Sequence, residues 1–220
     1  MKQENQNNST ELVFILDRSG SMEGLEKDTI GGFNSMIEKQ KQLEGQCYVS
    51  TFLFDQDSTL LHDRLPLQQV EKMTQEQYWV RGCTALLDAV AKGITHVDTI
   101  HKYIRQKDVP SHTLFVITTD GQENASTQYS AEQVKRLIEQ KKELGWEFLF
   151  LGANIDAVAT AGNLGIQEDH AVNFHCDSKG TQLNYQAVSQ AVCAMRQGAP
   201  INRSWKNEIE KDFKKRKNQR

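Results

Sequence analysis

The chain lacks most of the signals that would commit it to a membrane, a disulfide scaffold or a nucleotide. Its 220 residues contain no apolar run of roughly 18 residues and no charged-then-apolar leader, so neither a membrane span nor a secretory signal is expected, and a cytoplasmic location follows. The four cysteines, Cys47, Cys83, Cys176 and Cys193, are far apart and form no Cys-x-x-Cys pair. Buried, reduced thiols are therefore expected rather than disulfides or a zinc thiolate site. The Asn-x-Ser/Thr sequons at Asn8, Asn124 and Asn202 carry no meaning in a protein that is not secreted. No glycine-rich loop ending in Lys-Ser/Thr occurs, no serine sits in a Gly-x-Ser-x-Gly frame, and the six histidines include no His-Glu-x-x-His set. Nucleotide hydrolysis, serine-hydrolase chemistry and zinc-protease chemistry lose their usual carriers.

What is present is a body and a tail of opposite charge. Residues 201–220 hold eight basic residues against Glu208, Glu210 and Asp212, a charge of +5, which leaves −8 on residues 1–200 out of a total of −3. Within the tail Ile201, Trp205, Ile209 and Phe213 recur every four residues among Lys and Arg, the pattern of a basic amphipathic helix. Its apolar face either packs back on the acidic body or serves as a docking helix for a partner or an anionic surface. A basic tail without an aromatic-lined basic face elsewhere gives no case for nucleic acid.

The body alternates strand-like and helix-like segments. Strands are expected at about 11–16, 46–54, 59–65, 113–119, 147–151 and 171–175, with a hairpin turn at Asp55-Gln-Asp57-Ser58. Helices are expected at about 25–43, from Thr84 onward for some 20 residues, from the Ser130-Ala-Glu-Gln133 capping box to Leu144, at 155–164 and at 181–196, with a short helical piece near 67–73. Strands alternating with helices imply an α/β fold of Rossmann type, a mostly parallel central sheet with helices on both faces and one antiparallel edge strand. The division is a disordered polar lead over 1–10, one domain over 11–197 and the basic tail over 198–220. No internal repeat is visible.

One stretch organises the rest. Leu12-Val-Phe-Ile-Leu, suited to a strand buried on both faces, runs straight into Asp17-Arg-Ser19-Gly-Ser21. One carboxylate and two hydroxyls at i, i+2 and i+4 offer only oxygen. That suits a hard cation, Mg²⁺, Mn²⁺ or Ca²⁺, and argues against Zn²⁺. Gly20 is expected to give the turn its backbone freedom. A second strand, ending Thr118-Thr119, also runs into an acid, Asp120. Ligands of open parallel sheets bind beyond the carboxyl ends of strands where strand order reverses, so Asp17 and Asp120 converge if their strands are neighbours there. Thr84, at the start of the long helix, either caps that helix or adds a further oxygen. Glu123 and Asn124 either rim this pocket or form an ordinary turn.

Asp17-Arg-Ser19-Gly-Ser21, together with Thr84 and Thr119-Asp120-Gly121, resembles the von Willebrand factor type A (VWA) family, across about residues 11–197. In that family Asp-x-Ser-x-Ser, a Thr and an Asp on three loops form the metal-ion-dependent adhesion site (MIDAS). The resemblance implies a Mg²⁺ site at Asp17, Ser19, Ser21, Thr84 and Asp120, with Mn²⁺ or Ca²⁺ as other occupants. It also implies an open coordination position filled by a Glu or Asp of a partner protein, in a chain that is not an enzyme and is monomeric outside its complex. Stand-alone bacterial and phage-type members are similar in size and in the form Asp-Arg-Ser-Gly-Ser-Met. The competing reading is a Mg²⁺-dependent hydrolase or phosphoryl-transfer enzyme. A haloacid-dehalogenase-like enzyme needs a second acid two residues after the first, where this chain has Ser19.

Overall fold

A computed structural model describes residues 9–217 of the chain. The disorder expected of the lead-in falls on residues 1–8, outside the described residues; Ser9 and Thr10 are buried, and Thr10 already belongs to the first strand. The strands are β1 (Thr10–Asp17), β2 (Cys47–Phe54), β3 (Ser58–Pro66), β4 (His112–Thr119), β5 (Trp146–Gly152) and β6 (Ala171–Asn173). The helices are α1 (Glu26–Lys41), α2 (Leu86–Tyr103), α3 (Ala131–Glu143), α4 (Ala157–Asn163), α5 (Ser178–Arg196) and α6 (Asn207–Lys217). Among the described residues the strands form one sheet in the order β3-β2-β1-β4-β5-β6. Every neighbouring pair is parallel except β2 with β3, the hairpin at the edge.

Alternation along the strands divides the core into two. Leu12, Phe14 and Leu16 point to one face, under α1 and α5, while Val13 and Ile15 point to the other, under α2, α3 and α4. All eight residues of β1 are buried, as a central parallel strand covered on both faces requires. The capping box that opens α3 is formed in full, Ser130 accepting from the Gln133 N–H and Gln133 accepting from the Ser130 N–H.

Three local expectations are corrected. Residues 67–73 hold only a single 3₁₀ turn at Leu67–Gln69, after which Val70 and Met73 turn into the core. The last strand stops at Asn173, because Cys176 turns toward the end of β4, where its Sγ meets Asp120. Of the four cysteines, all free, only Cys47 is buried; Cys83 is exposed and Cys176 and Cys193 are half-buried.

The tail is docked. Ile201, Trp205 and Ile209 are buried in the α1/α5 side of the core, and the Trp205 Nε1–H donates to the Asp169 carbonyl at 2.9 Å. Lys206, 1% exposed, donates to the carbonyls of Glu168 at 2.6 Å and Ala171 at 2.8 Å. Phe213 stacks on His175, with ring centroids 4.7 Å apart. The tail thereby covers the β6 end of the sheet, one of the two edges a parallel sheet must protect. No helix among the described residues is long and apolar enough to cross a membrane.

Candidate metal centre

The chain passes from β1 outward to β2 and β3, then returns to place β4 on the other side of β1, so strand order reverses between β1 and β4. Asp17 is the last residue of β1 and Asp120 directly follows β4, with Leu16 opposite Thr118 in the register. The two carboxylates therefore come to the same crevice.

Their oxygens are held by hydroxyls, one main-chain N–H and one thiol. Asp17 Oδ1 accepts the Ser19 N–H at 2.7 Å, and Oδ2 accepts the Thr119 hydroxyl at 2.6 Å. Ser21 donates to Asp120 Oδ1 at 2.6 Å, and the Ser19 and Ser21 hydroxyls lie 3.1 Å apart. Cys176 Sγ lies 3.2 Å from Asp120 Oδ2. Thr84 stands across Gly121, where an added Cβ would lie 3.1 Å from both Thr84 Oγ1 and Ser21 Oγ. Asp17, Ser19, Thr84 and Asp120 are buried, while Ser21 is exposed at the mouth. All five expected residues are thus brought together.

Thr84 is not a helix cap. The cap position of α2 is Ala85, which makes no side-chain cap bond. The first turn is capped instead from the loop after β4: Glu123 Oε2 accepts the Leu87 N–H at 2.9 Å and Ser126 Oγ accepts the Asp88 N–H at 3.1 Å. Asn124 holds Thr84 in place through both main-chain groups, Oδ1 accepting its N–H at 2.9 Å and the Asn124 N–H donating to its carbonyl at 3.0 Å. Glu123 and Asn124 are therefore neither pocket rim nor a mere turn; they bind the second and third loops together and leave the Thr84 hydroxyl facing the crevice. Gly20 also has a role other than the expected one. Its φ is not positive, and an added Cβ would lie 3.3 Å from the Gly82 carbonyl, so close approach of two loops sets the requirement.

Burial raises the Asp17 pKa from 3.8 to about 6, against the lowering effect of the Thr119 and Ser19 hydrogen bonds, and the Asp120 charge adds to the rise. Burial and the neighbouring Asp120 likewise push the Cys176 thiol up to about 12. Neither carboxylate is ion-paired to a basic side chain among the described residues; Arg18, which lies between Asp17 and Ser19 in sequence, is paired to Asp55. Among the described residues no group of three or more His, Cys, Asp or Glu side chains is placed to hold a metal, so the donors available here are two carboxylates and three hydroxyls. Two uncompensated carboxylates in a buried crevice, flanked by neutral oxygens, fit a hard divalent cation. The sequence did not reveal Thr119, Cys176 or Tyr78, whose hydroxyl donates to the Asp17 carbonyl. Thr119 could have been suspected from its place one residue before Asp120; the other two carry no local signal.

No protein-family model and no curated protein sequence matches the chain. Solved structures do. A von Willebrand factor type A protein from Catenulispora acidiphila aligns with a TM-score of 0.54 at 14% identity, covering 83% of this chain and 42% of that one. Proximal thread matrix protein 1 from the mussel byssus, with a zinc-occupied MIDAS motif, aligns with a TM-score of 0.56 at 12% identity, covering 84% and 46%. Manganese-loaded TRAP protein from Plasmodium vivax aligns with a TM-score of 0.55 at 17% identity, covering 80% and 72%. The chain spans less than half the length of the first two. With its mostly parallel six-stranded sheet, one antiparallel edge pair and flanking helices, the chain has the Rossmann-like fold of von Willebrand factor type A domains.

Proposed function

We propose that the chain is a metal-dependent protein-interaction module. A divalent cation, Mg²⁺ in the first instance, is held by Asp17, Ser19, Ser21, Thr84 and Asp120, and an acidic side chain of a partner protein completes its coordination. The observation that carries this reading is the convergence of two carboxylates and three hydroxyls at the β1/β4 switch point, with neither carboxylate ion-paired to a basic side chain among the described residues. The neighbours named as manganese-loaded and as zinc-occupied support a divalent ion, and the zinc form shows that a MIDAS motif also accepts a softer metal than oxygen donors alone suggest.

When bound, the ion supplies a positive centre that attracts an anionic oxygen. Asp17 and Asp120 balance its charge, Thr119 and the Ser19 N–H orient the Asp17 carboxylate, and Ser21 at the exposed mouth leaves the approach open. The reading makes the chain a binding protein rather than an enzyme, cytoplasmic and monomeric outside its complex.

The test has two stages. Metal-stripped wild type and Asp17→Ala are titrated with Mg²⁺, Mn²⁺, Ca²⁺ and Zn²⁺ by calorimetry, and binding by wild type alone is expected. Both are then used as bait in native extract, with Mg²⁺ or with chelator. A protein retained only by wild type with Mg²⁺ is the expected result; identical captures in all four conditions, or phosphate release from generic phosphoesters that Asp17→Ala abolishes, would replace the reading.

A further inference from the structure

Asp55 follows β2 in the hairpin turn, outside the expected ligand set, yet its side chain is fully buried and wired to two of the three site loops. Its Oδ2 accepts from Arg18 Nε at 2.9 Å and from Arg81 Nε at 2.8 Å. Its Oδ1 accepts the Asp57 N–H at 2.8 Å, and its carbonyl accepts the Ala85 N–H at 2.9 Å. Arg18 separates Asp17 from Ser19, Arg81 lies three residues before Thr84, and Ala85 follows Thr84. The main chains of the same loops are joined beside this clasp, Arg81 N–H donating to the Arg18 carbonyl at 2.9 Å and Gly20 N–H to the Gly82 carbonyl at 3.1 Å. Both guanidiniums lie over the half-exposed Trp79 ring, at 5.4 and 4.6 Å from its centroid.

The charge count of this clasp matters for a neighbouring dication. Asp55 offsets one of the two guanidiniums, with the Asp57 carboxylate also acting on Arg81, and without Asp55 the net charge beside the crevice is one unit more positive. We propose that Asp55 tunes the metal centre electrostatically, screening the ion from Arg18 and Arg81. The proposal rests on the metal-site reading above. A purely structural alternative is that Asp55 only stabilises the hairpin.

Free Mn²⁺ measured by electron paramagnetic resonance, with metal-stripped protein, separates these. Asp55→Asn keeps the shape of the side chain and is expected to weaken Mn²⁺ binding on the order of tenfold at low salt, the effect of one more positive charge near a dication in a partly solvated site. That loss should shrink toward none at about 1 M salt, where charges are screened within about 3 Å. Asp55→Asn with Arg81→Gln restores the charge balance and should recover most of the affinity. Arg81→Gln alone, at a half-exposed position, should tighten Mn²⁺ binding about two- to fivefold, and this arm decides the matter if Asp55→Asn does not fold. A loss that persists at high salt and is not rescued, an affinity unchanged in Asp55→Asn, or an Arg81→Gln variant that binds no tighter overturns the proposal. If wild type itself binds no more Mn²⁺ than Asp17→Ala, the metal-site reading fails instead, and the two failures are distinct.

Discussion

Burying the Asp17 carboxylate beside Asp120 costs the metal-free fold stability, and Asp17→Asn measures by how much. The carboxylate is 1% exposed and faces Asp120. Its pKa lies at about 6 where an ordinary aspartate has 3.8, and at about 1.4 kcal/mol for each pH unit of that displacement, ionised Asp17 costs the metal-free fold roughly 3 kcal/mol at pH 7. The direction follows from which state holds the proton. The folded chain keeps it to higher pH than the unfolded chain, so this residue makes metal-free stability fall as pH rises from about 4 to above 6, and its penalty vanishes below the unfolded value. Asparagine keeps an oxygen to accept the Ser19 N–H and carries no charge. In thermal melts with chelator at pH 7, Asp17→Asn should therefore melt roughly 6–12 °C above wild type, given about 2–4 °C per kcal/mol for a chain of this size. The gap should narrow through pH 5 and close near pH 4. With Mg²⁺ added, wild type should gain about 2.7 kcal/mol at a hundredfold excess over its dissociation constant while the variant gains nothing. A variant that is less stable than wild type with chelator at pH 7, or a gap that does not change on acidification, refutes the argument that buried like charges are the cost of the site.

Five further outcomes follow from single contacts. Gly121→Ala places a methyl 3.1 Å from Ser21 Oγ and Thr84 Oγ1 at a backbone position that tolerates alanine, so calorimetry should show metal affinity falling at least tenfold while the melting temperature with chelator stays within about 2 °C of wild type. Arg196, buried, donates to the carbonyls of Gln40, Leu43, Glu44 and Gly45, where α1 ends, and Arg196→Met should lose about 2–3 kcal/mol in urea denaturation. Trp205 and Trp146 are each 7% exposed and Trp79 44%, so removing Trp79 by Trp79→Phe should shift the emission of the folded protein to the blue, whereas Trp205→Ala should cost about 3–5 kcal/mol. Thr29 and Asn184 line a cavity of about 20 Å³ beside Asp17, and Asn184 Oδ1 has no hydrogen-bond partner among the described residues, so a high-resolution crystal structure should show a water there bonded to Asn184.

Much of this molecule is written locally. The five buried residues before Asp17, the alternation of strand and helix, the Ser130 capping box and the four-residue rhythm of Ile201, Trp205 and Ile209 are patterns within a few residues, and the structure repeats them within two residues except at the short piece after Pro66, at α5, which starts at Ser178, and in the tail, where a 3₁₀ turn over Arg203–Lys206 precedes a helix that starts only at Asn207. The five candidate ligands were legible for the same reason, since each stands at a strand end or ahead of a helix.

Only the tertiary structure decided how those residues are used. Whether Thr84 caps its helix depended on Glu123 and Ser126, some 40 residues later, which satisfy N–H groups of the helix's first turn. The tail's choice between docking on the body and standing free turned on the space beside α5 and the carbonyls of Glu168, Asp169 and Ala171. Ser21 meets Asp120 across 99 residues and Thr119 meets Asp17 across 102, and Asp55 binds Arg18 and Arg81 from a hairpin that no local pattern ties to either. Periodicity and capping act over one or two turns of chain, so they mark where chemistry can be placed; the pairing of charges and hydroxyls from distant loops depends on strand order, and that exists only once the sheet has formed.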